Sequence, residues 1–329
     1  MSIIGIAMKR GGAMNSARRE LLAKVAYLYY VENETQAQIA KDLDIYRTTI
    51  SRLLKQAREQ HIVTIEINDF NANLFKLEAA LKARFHIREA VIIPDNREET
   101  PQQKDQRLSL AASQYLKQII KPHNTVGFAW GSVLSGMIGQ LEQLAPIKTD
   151  ATFVPLVGGP SPSNSRYHVN GIVYDAARQF GGHSLFVDAA AVQESRYVRD
   201  GIISSQYFHD IQDCWQNLDI AFVGIGGPLT NTTSRWRDLL TAADCQLLRE
   251  RHAVGDCCCT FFDRSGKILK GDLLDRTIAI PLTQLQTVPH SVGVARSLTK
   301  APAIKTLLEM GILNTLITDE ETAKRVLAQ

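Results

Sequence analysis

Seven residues, Tyr46, Arg47, Thr48, Thr49, Ser51, Arg52 and Lys55, lie along one face of the stretch IYRTTISRLLKQA (45–57), and each carries a donor or an amphipathic head. Side chains of this kind contact phosphate oxygens and the edges of bases in a major groove. The opposite face is apolar. Ile39, Ala40 and Leu43 of the preceding segment can meet Ile45, Ile50, Leu53, Leu54 and Ala57, and the small Ala40 allows two helices to cross closely. Asp44 holds the turn position where Gly is common, which Asp tolerates because it visits the left-handed region. Tyr46 stands where Ser or Thr usually caps a helix, so it is expected to begin the helix without a side-chain cap or to act as a contact itself. Thr35 and Gln38 have capping-box spacing just before Ile39 and Ala40, which marks a helix start. Thr35 and Gln36, at that start, join the candidate contacts. The expected partner of the whole face is operator DNA.

A second set of candidates lies at strand ends. GFAWGSVL (127–134) reads as a strand passing through a small-residue turn into a helix, so amides near Trp130, Gly131 and Ser132 would face an anion, with the Ser132 hydroxyl added. A plain strand-to-helix turn has the same composition. VGGPSPSNS (157–165), with Gly158 and Gly159, and VGIGG (223–227), with Gly226, also end strands, where ligands of open sheets collect.

The elements that must position these groups follow from periodicity. Residues 17–31 read as a first helix with Leu21, Leu22, Val25, Leu28 and Tyr29 on one stripe. Two more helices follow, then the β-branched HIVTIEI (61–67), a short strand that would complete a winged module. Leu74, Leu77, Ala80, Leu81 and Phe85 predict a connecting helix whose stripe packs on a partner. Beyond it, strands expected at 89–94, 125–130, 151–157, 219–227, 290–295 and 313–318 alternate with helices near 105–121, up to 144, 170–180, 235–251 and 298–310, and a last helix closes the chain. That alternation predicts an open, mainly parallel α/β sheet. CCCTFFDRSGKILKGDLL (257–274) breaks the rhythm, and its turn Asp263–Gly266 predicts an inserted hairpin. The expected domains are a flexible leader at 1–16, a helix-turn-helix DNA-binding domain at 17–68, a connecting helix at 69–87, and a ligand-binding and oligomerisation domain at 88–329.

Composition bounds the function classes. A chain of 329 residues with 45% apolar content is long enough for two domains. Its early apolar stretch, Ile3 to Met8, is too short for a signal-peptide core or a membrane span, so no membrane partner and a cytoplasmic location are expected. Residues 1–66 hold ten Lys or Arg against seven Asp or Glu, and the remainder holds 27 of each, so the excess charge of +3 sits entirely at the front. Cys257, Cys258 and Cys259 cannot all face one metal from a strand, and they read as reduced, buried small hydrophobes. No metal and no cofactor are expected.

The chain resembles the SorC family of bacterial sugar-responsive transcriptional regulators from about residue 20 onward. The resemblance is carried by the helix-turn-helix, VGFAWGSVLSGM (126–137), VPLVGG (154–159), VGIGG (223–227), VGDCCCTFFDRSGKI (254–268) and GILNTLITDEETAKRVL (311–327), in that order. It implies a sensor domain related in fold to ribose-phosphate isomerases and glucosamine-phosphate deaminases, a phosphorylated sugar as effector, and a homo-oligomer, dimer or tetramer. Asp256 matches the family position where an acidic residue contacts sugar hydroxyls, and Lys300 matches a lysine that meets the ligand phosphate. Where the family often has Gly-Gly before that lysine, this chain has Ala295, Arg296 and Ser297. Arg296 is therefore a candidate for a different phosphate contact. Asp188 and Arg196 follow another strand end and are weaker candidates, with a surface ion pair expected for Arg196.

The leading expectation is a transcriptional regulator of a carbohydrate-utilisation operon, not an enzyme, whose operator binding a sugar phosphate controls. The competing reading is a sugar-phosphate isomerase or deaminase with an accessory DNA-binding arm. Asp256 and Lys300 could then serve chemistry, yet no third group has the spacing that acid/base work demands, and no catalytic residue is assigned.

Overall fold

The computed structural model describes residues 13–63, 71–96, 98–142, 146–160, 167–229 and 239–329. It divides into two units, Met1–Phe70 and Asn71–Gln329.

In the first unit, α1 (Ala13–Tyr30), α2 (Gln36–Asp42) and α3 (Arg47–Glu59) enclose one small core. Leu22, Val25 and Ala26 of α1 meet Ile39 and Ala40 of α2 and Ile50, Leu53, Leu54 and Ala57 of α3. Leu43 and Ile45 are only partly buried at its margin. Thr35 and Gln38 form the reciprocal capping box that their spacing predicts. The turn closes as Ile45 N–H donates to the Ala40 carbonyl at 3.0 Å, with Asp44 at φ 55°. Helix α1 begins at Ala13, inside the segment expected to be a leader, and residues 1–12 lie outside the described residues. Of the expected strand 61–67, residues 64–67 also lie outside them, while 61–63 form a turn and bends with Ile62 and Val63 against the three-helix core.

The second unit opens with α4 (Ala72–Phe85), whose Leu74 and Leu81 are buried in the core of the sheet unit. The stripe read as belonging to a connector is thus spent on its own domain. Among the described residues the sheet has seven strands in the order β1-β9-β8-β5-β2-β3-β4, and every pairing between them is parallel. These are β1 (Glu89–Ile93), β2 (Thr125–Phe128), β3 (Thr152–Pro155), β4 (His183–Ser184), β5 (Ile220–Gly224), β8 (His290–Val294) and β9 (Thr315–Asp319). Strand residues Ile220–Val223 are buried on both faces and read as a continuous apolar run because helices cover both sides, and Thr315–Asp319 is buried throughout although it carries two Thr and an Asp. Those helices include α5 (Pro101–Ile119), α6 (Ser132–Leu141), α7 (Val169–Phe180), α9 (Gln206–Gln216), α10 (Ala242–Glu250), α13 (Ala301–Glu309) and α14 (Glu320–Leu327). The shorter α8 (Arg196–Ile203), α11 (Asp272–Asp275) and α12 (Leu282–Leu285) bridge the remaining connections. Residues 143, 144 and 235–238, expected as helical, lie outside the described residues.

The insertion reverses at Asp263–Gly266 as expected, with Phe262 and Ile268 bridged antiparallel across that turn, and it holds a further hairpin just before it. Strands β6 (Gly255–Cys257) and β7 (Thr260–Phe262) pair antiparallel through a two-residue turn at Cys258 and Cys259, both at positive φ (48° and 57°). Two-residue hairpin turns demand this conformation, normally from Asn or Gly. Asp263–Gly266 is a second turn, in which the Asp263 carboxylate accepts from the Ser265 and Lys267 amides at 2.8 and 3.1 Å. The three cysteines are all buried, as expected, but only Cys257 lies in a strand.

Candidate functional site

The polar face of α3 stands as its amphipathic spacing requires. Tyr46, Arg47, Thr48, Ser51, Arg52 and Lys55 are exposed and Thr49 is half-buried. Tyr46 is 84% exposed and caps the helix through its backbone alone: its carbonyl accepts from the Thr49 and Ile50 amides at 2.8 and 3.2 Å, with no side-chain cap bond. Lys55 lies 3.8 Å from Glu59 across one helical turn, an exposed pairing that leaves the ammonium available to phosphate. Gln36 is half-buried, and the Thr35 hydroxyl is engaged in the capping box, donating to Gln38 Oε1 at 2.8 Å. Of the predicted set, Thr35 is therefore the one already committed to a local bond.

The other candidates gather where β2, β5 and β8 end. Strand β2 and β5 are neighbours whose successors run in opposite directions across the sheet, which places a topological switch point between them. Past β2, Gly131 takes φ 145° and caps α6 without a side-chain bond, and Ser132 is exposed at the first turn. A Cβ at Gly131 would meet nothing within 4 Å, so its backbone conformation, not crowding, calls for glycine. Trp130 donates its indole N–H to the Gly158 carbonyl at 2.7 Å, tying the ends of β2 and β3 together.

The amides of the strand-end glycines Gly158, Gly159 and Gly226 are engaged within the protein. Gly158 N–H goes to the Ile278 carbonyl at 2.9 Å, Gly159 N–H to Ala189 at 2.8 Å, and Gly226 N–H to Asp256 at 2.8 Å. All three are consumed by backbone pairing. Their glycine identity serves close approach instead: a Cβ on Gly158 would stand 2.7 Å from the Ala191 backbone, and one on Gly226 would stand 1.8 Å from the Asp256 carboxylate.

Gly226 and Gly227 bring two of the family-implied residues to one place. Asp256, 5% exposed, lies against Gly226, and the Lys300 side chain lies against Gly227, whose Cβ would be 3.2 Å from Lys300 Cγ. A carboxylate able to accept from two hydroxyls and the aliphatic stem of a lysine thus flank the same two-residue segment at the end of β5. Arg296 is directed elsewhere. Its guanidinium donates to Asp105 at 2.6 Å and to the Pro101 carbonyl at 2.5 Å, both in the first turns of α5, so it tethers the segment before Lys300 to that helix. Arg196 pairs with Asp200 at 3.3 Å on its own exposed helix, and Asp188 accepts from the Asn170 amide at 3.2 Å.

His168 escaped the sequence reading. It caps α7, its Nδ1 accepting from Asn170 N–H at 3.2 Å, which leaves Nε2 as the protonated nitrogen of the neutral ring. The ring stands over Gly159, with Nε2 2.5 Å from where a Cβ would be. Histidine is not a usual cap, so no local signal marks it. Residues 161–166 and 230–238, which follow the ends of β3 and β5, lie outside the described residues. Among the described residues, no group of three His, Cys, Asp or Glu could hold a metal ion, and no helix is long and apolar enough to cross a membrane.

A three-helix unit presenting a basic polar helix, joined in one chain to a parallel α/β unit with a carboxylate and an ammonium at its strand ends, defines a class: transcriptional regulators with a ligand-sensing domain. The family model described as "Putative sugar-binding domain" matches residues 70–328. The chain is 37% identical to the sorbitol operon regulator of Klebsiella pneumoniae over 95% of its length and 99% of the relative's. It is 28% identical to the deoxyribonucleoside regulator of Bacillus subtilis over 94% of its length and 98% of that protein's. The crystal structure of full-length SorC from Klebsiella pneumoniae superposes with TM-score 0.73 at 36% identity, covering 94% of this chain and 99% of that one. A transcriptional regulator from Streptococcus pneumoniae gives TM-score 0.74 at 37% identity, covering 79% and 98%. The chain belongs to the SorC family of sugar-binding transcriptional regulators, and its relatives are regulators, not isomerases or deaminases.

Proposed function

We propose that this regulator reads operator DNA of a carbohydrate-utilisation operon through α3 and that a phosphorylated sugar or sugar alcohol, held where β2, β5 and β8 end, sets the strength of that binding. The observation that carries the reading is the placement of Asp256 and Lys300 on either side of Gly226–Gly227. The carboxylate accepts from sugar hydroxyls, while the Lys300 ammonium and the N-terminus of α6 at Gly131–Ser132 attract the phosphate. Arg47, Arg52 and Lys55 neutralise DNA phosphates, and Tyr46, Thr48, Thr49 and Ser51 reach base edges, with Gln36 at the start of α2 near the backbone. The protein acts in the cytoplasm as a homo-oligomer, dimer or tetramer, because a single short recognition helix spans too few base pairs to specify an operator. Relatives named for sorbitol and deoxyribonucleoside operons support a sugar or polyol effector class.

The test is fluorescence anisotropy on labelled DNA from upstream of the protein's own operon, at fixed salt, with a panel of sugars, sugar alcohols and their phosphates. One phosphate is expected to change specific binding while its unphosphorylated parent does not. Specific DNA binding indifferent to the whole panel would overturn the effector assignment and leave the DNA assignment standing. Sequence-indifferent, purely salt-dependent binding would overturn the latter.

A further inference from the structure

Ser297 has φ 131° and ψ 138°, a region that belongs almost wholly to glycine and strains an ordinary residue. It begins the 3-10 turn Leu298–Lys300, so the strained residue sits immediately before the turn that carries Lys300. Such a conformation persists only where its surroundings over-determine it, and the bonds that do so here run to two different helices.

On one side, Arg296 donates to Asp105 and to the Pro101 carbonyl of α5. On the other, Ser297 N–H donates to Thr322 Oγ1 of α14 at 2.9 Å, and Thr322 is 1% exposed. Within the turn, the Ser297 hydroxyl meets Thr299 Oγ1 at 2.9 Å and accepts from Thr299 N–H at 3.3 Å, and the Ser297 carbonyl accepts from Lys300 N–H at 3.0 Å. Helix α14 in turn packs on α4, where the Arg84 guanidinium donates to the Leu327 carbonyl. Its Glu320 carboxylate also accepts from Asp95 N–H at 3.3 Å, beyond the end of β1. Helix α4 is the first element after the DNA-binding unit along the chain.

We infer that Arg296, Ser297 and Thr322 are positioning residues. Arg296 and Ser297 hold Lys300 in place for an anion, and the Ser297–Thr322 bond passes the state of that turn to α14 and on to α4. The inference rests on Lys300 meeting the effector phosphate. Pulling on Lys300 acts on a turn that is already strained, and the bond to Thr322 is its shortest connection to the element that leads toward the DNA-binding unit. Coupling of this kind requires an element that both sites bias, and the turn fastened to α5 on one side and to α14 on the other is the element the inference names.

Two variants separate the parts of the claim in the full-length protein. Sorbitol 6-phosphate, fructose 6-phosphate and inorganic phosphate serve as probes, with melting temperature reporting probe binding and anisotropy reporting DNA affinity. Asp105→Ala releases Arg296, and its half-saturation by the phosphosugar that binds is expected to rise about tenfold, the size of one lost charge-assisted hydrogen bond. Thr322→Val keeps the shape of the residue and removes the acceptor. Because Thr322 also fastens the strained turn, its half-saturation is expected to rise as well, and at saturating probe the probe's effect on DNA affinity falls at least about fivefold, the lower end of ordinary coupling. Wild-type coupling in Thr322→Val overturns the transmission, and wild-type half-saturation in Asp105→Ala overturns the positioning.

If the wild type binds none of the probes, the sugar-phosphate reading is what has failed, and hydrogen exchange decides the loop independently. Asp105→Ala is expected to speed exchange in residues 295–300, α14 and α4 together. Faster exchange confined to 295–300, or none, would overturn the route.

Discussion

Gly226→Ala is the perturbation that tests the candidate cleft most directly. The added Cβ would stand 1.8 Å from Asp256 Oδ1 and 2.7 Å from its Cγ. Ordinary contact between such atoms is about 3.5 Å, so the carboxylate must move by more than about 1.5 Å. Asp256 is 5% exposed, on a strand held to Gly226 by backbone bonds at 2.8 and 3.4 Å, and so has little room to yield. Overpacking of this sort costs about 1–3 kcal/mol. For a sheet unit of this size that lowers the melting temperature by about 2–12 °C. The displaced carboxylate should also weaken the effector response severalfold, whereas DNA binding without effector, which depends on α3, should be retained. The control is Gly139→Ala, at which a Cβ meets nothing within 4 Å in α6. That change should stabilise the protein by about 0.5–1 kcal/mol through helix propensity and leave the response alone. Calorimetry and anisotropy read both outcomes. A Gly226→Ala protein with wild-type melting and a wild-type dose curve would refute the juxtaposition of Gly226 and Asp256.

Arg47→Ala and Arg52→Ala should each weaken operator binding. Loss of a base contact would reduce discrimination by about 1–3 kcal/mol, and loss of a phosphate contact would lower the slope of log affinity against log salt by about 0.9. A pH series probes the buried pair of Arg276 with Asp244, whose side chains are 8% and 9% exposed. Burial pushes the Asp244 carboxyl up, but hydrogen bonds from Arg276 and Thr241 outweigh it and hold the group below the usual carboxylate value. Its contribution to stability is therefore full above the unfolded value of about 3.9 and is lost as pH falls toward the lower folded value. Asp244→Asn should cost about 3 kcal/mol at neutral pH and flatten the acid limb of the melting curve, and an acid limb of unchanged steepness would count against the pair. The thiols of Cys257, held up by a hydrogen bond to Cys258 and by burial, and of Cys259, held up by burial, should resist an aromatic disulfide reagent at neutral pH until the protein is unfolded.

What the sequence by itself determined is local in its physics. The capping box of Thr35 and Gln38 needs three residues of spacing, and the inner face of α3 needs only the helical repeat of Ile50, Leu53, Leu54 and Ala57. Asp44 was legible as a left-handed turn residue and Tyr46 as an unbonded cap for the same reason. The alternation of apolar strands and amphipathic helices led to a parallel sheet because each pattern reports the burial of its own element. The fates of the site residues depended on partners far along the chain. Gly158 spends its amide on Ile278 and Gly226 on Asp256, and both glycines permit close packing, which their place at strand ends does not announce. Arg296 is held on α5 by Asp105, nearly two hundred residues upstream. His168 became visible only when Gly159 came to lie beneath its ring, and the partner of the α4 stripe was settled only when Leu74 and Leu81 found the core of the sheet unit. Periodicity and capping act over a single turn, whereas the orientation of a charged or glycine-bearing loop is set by whichever distant backbone or carboxylate satisfies its hydrogen bonds, and that choice is made only in the tertiary structure.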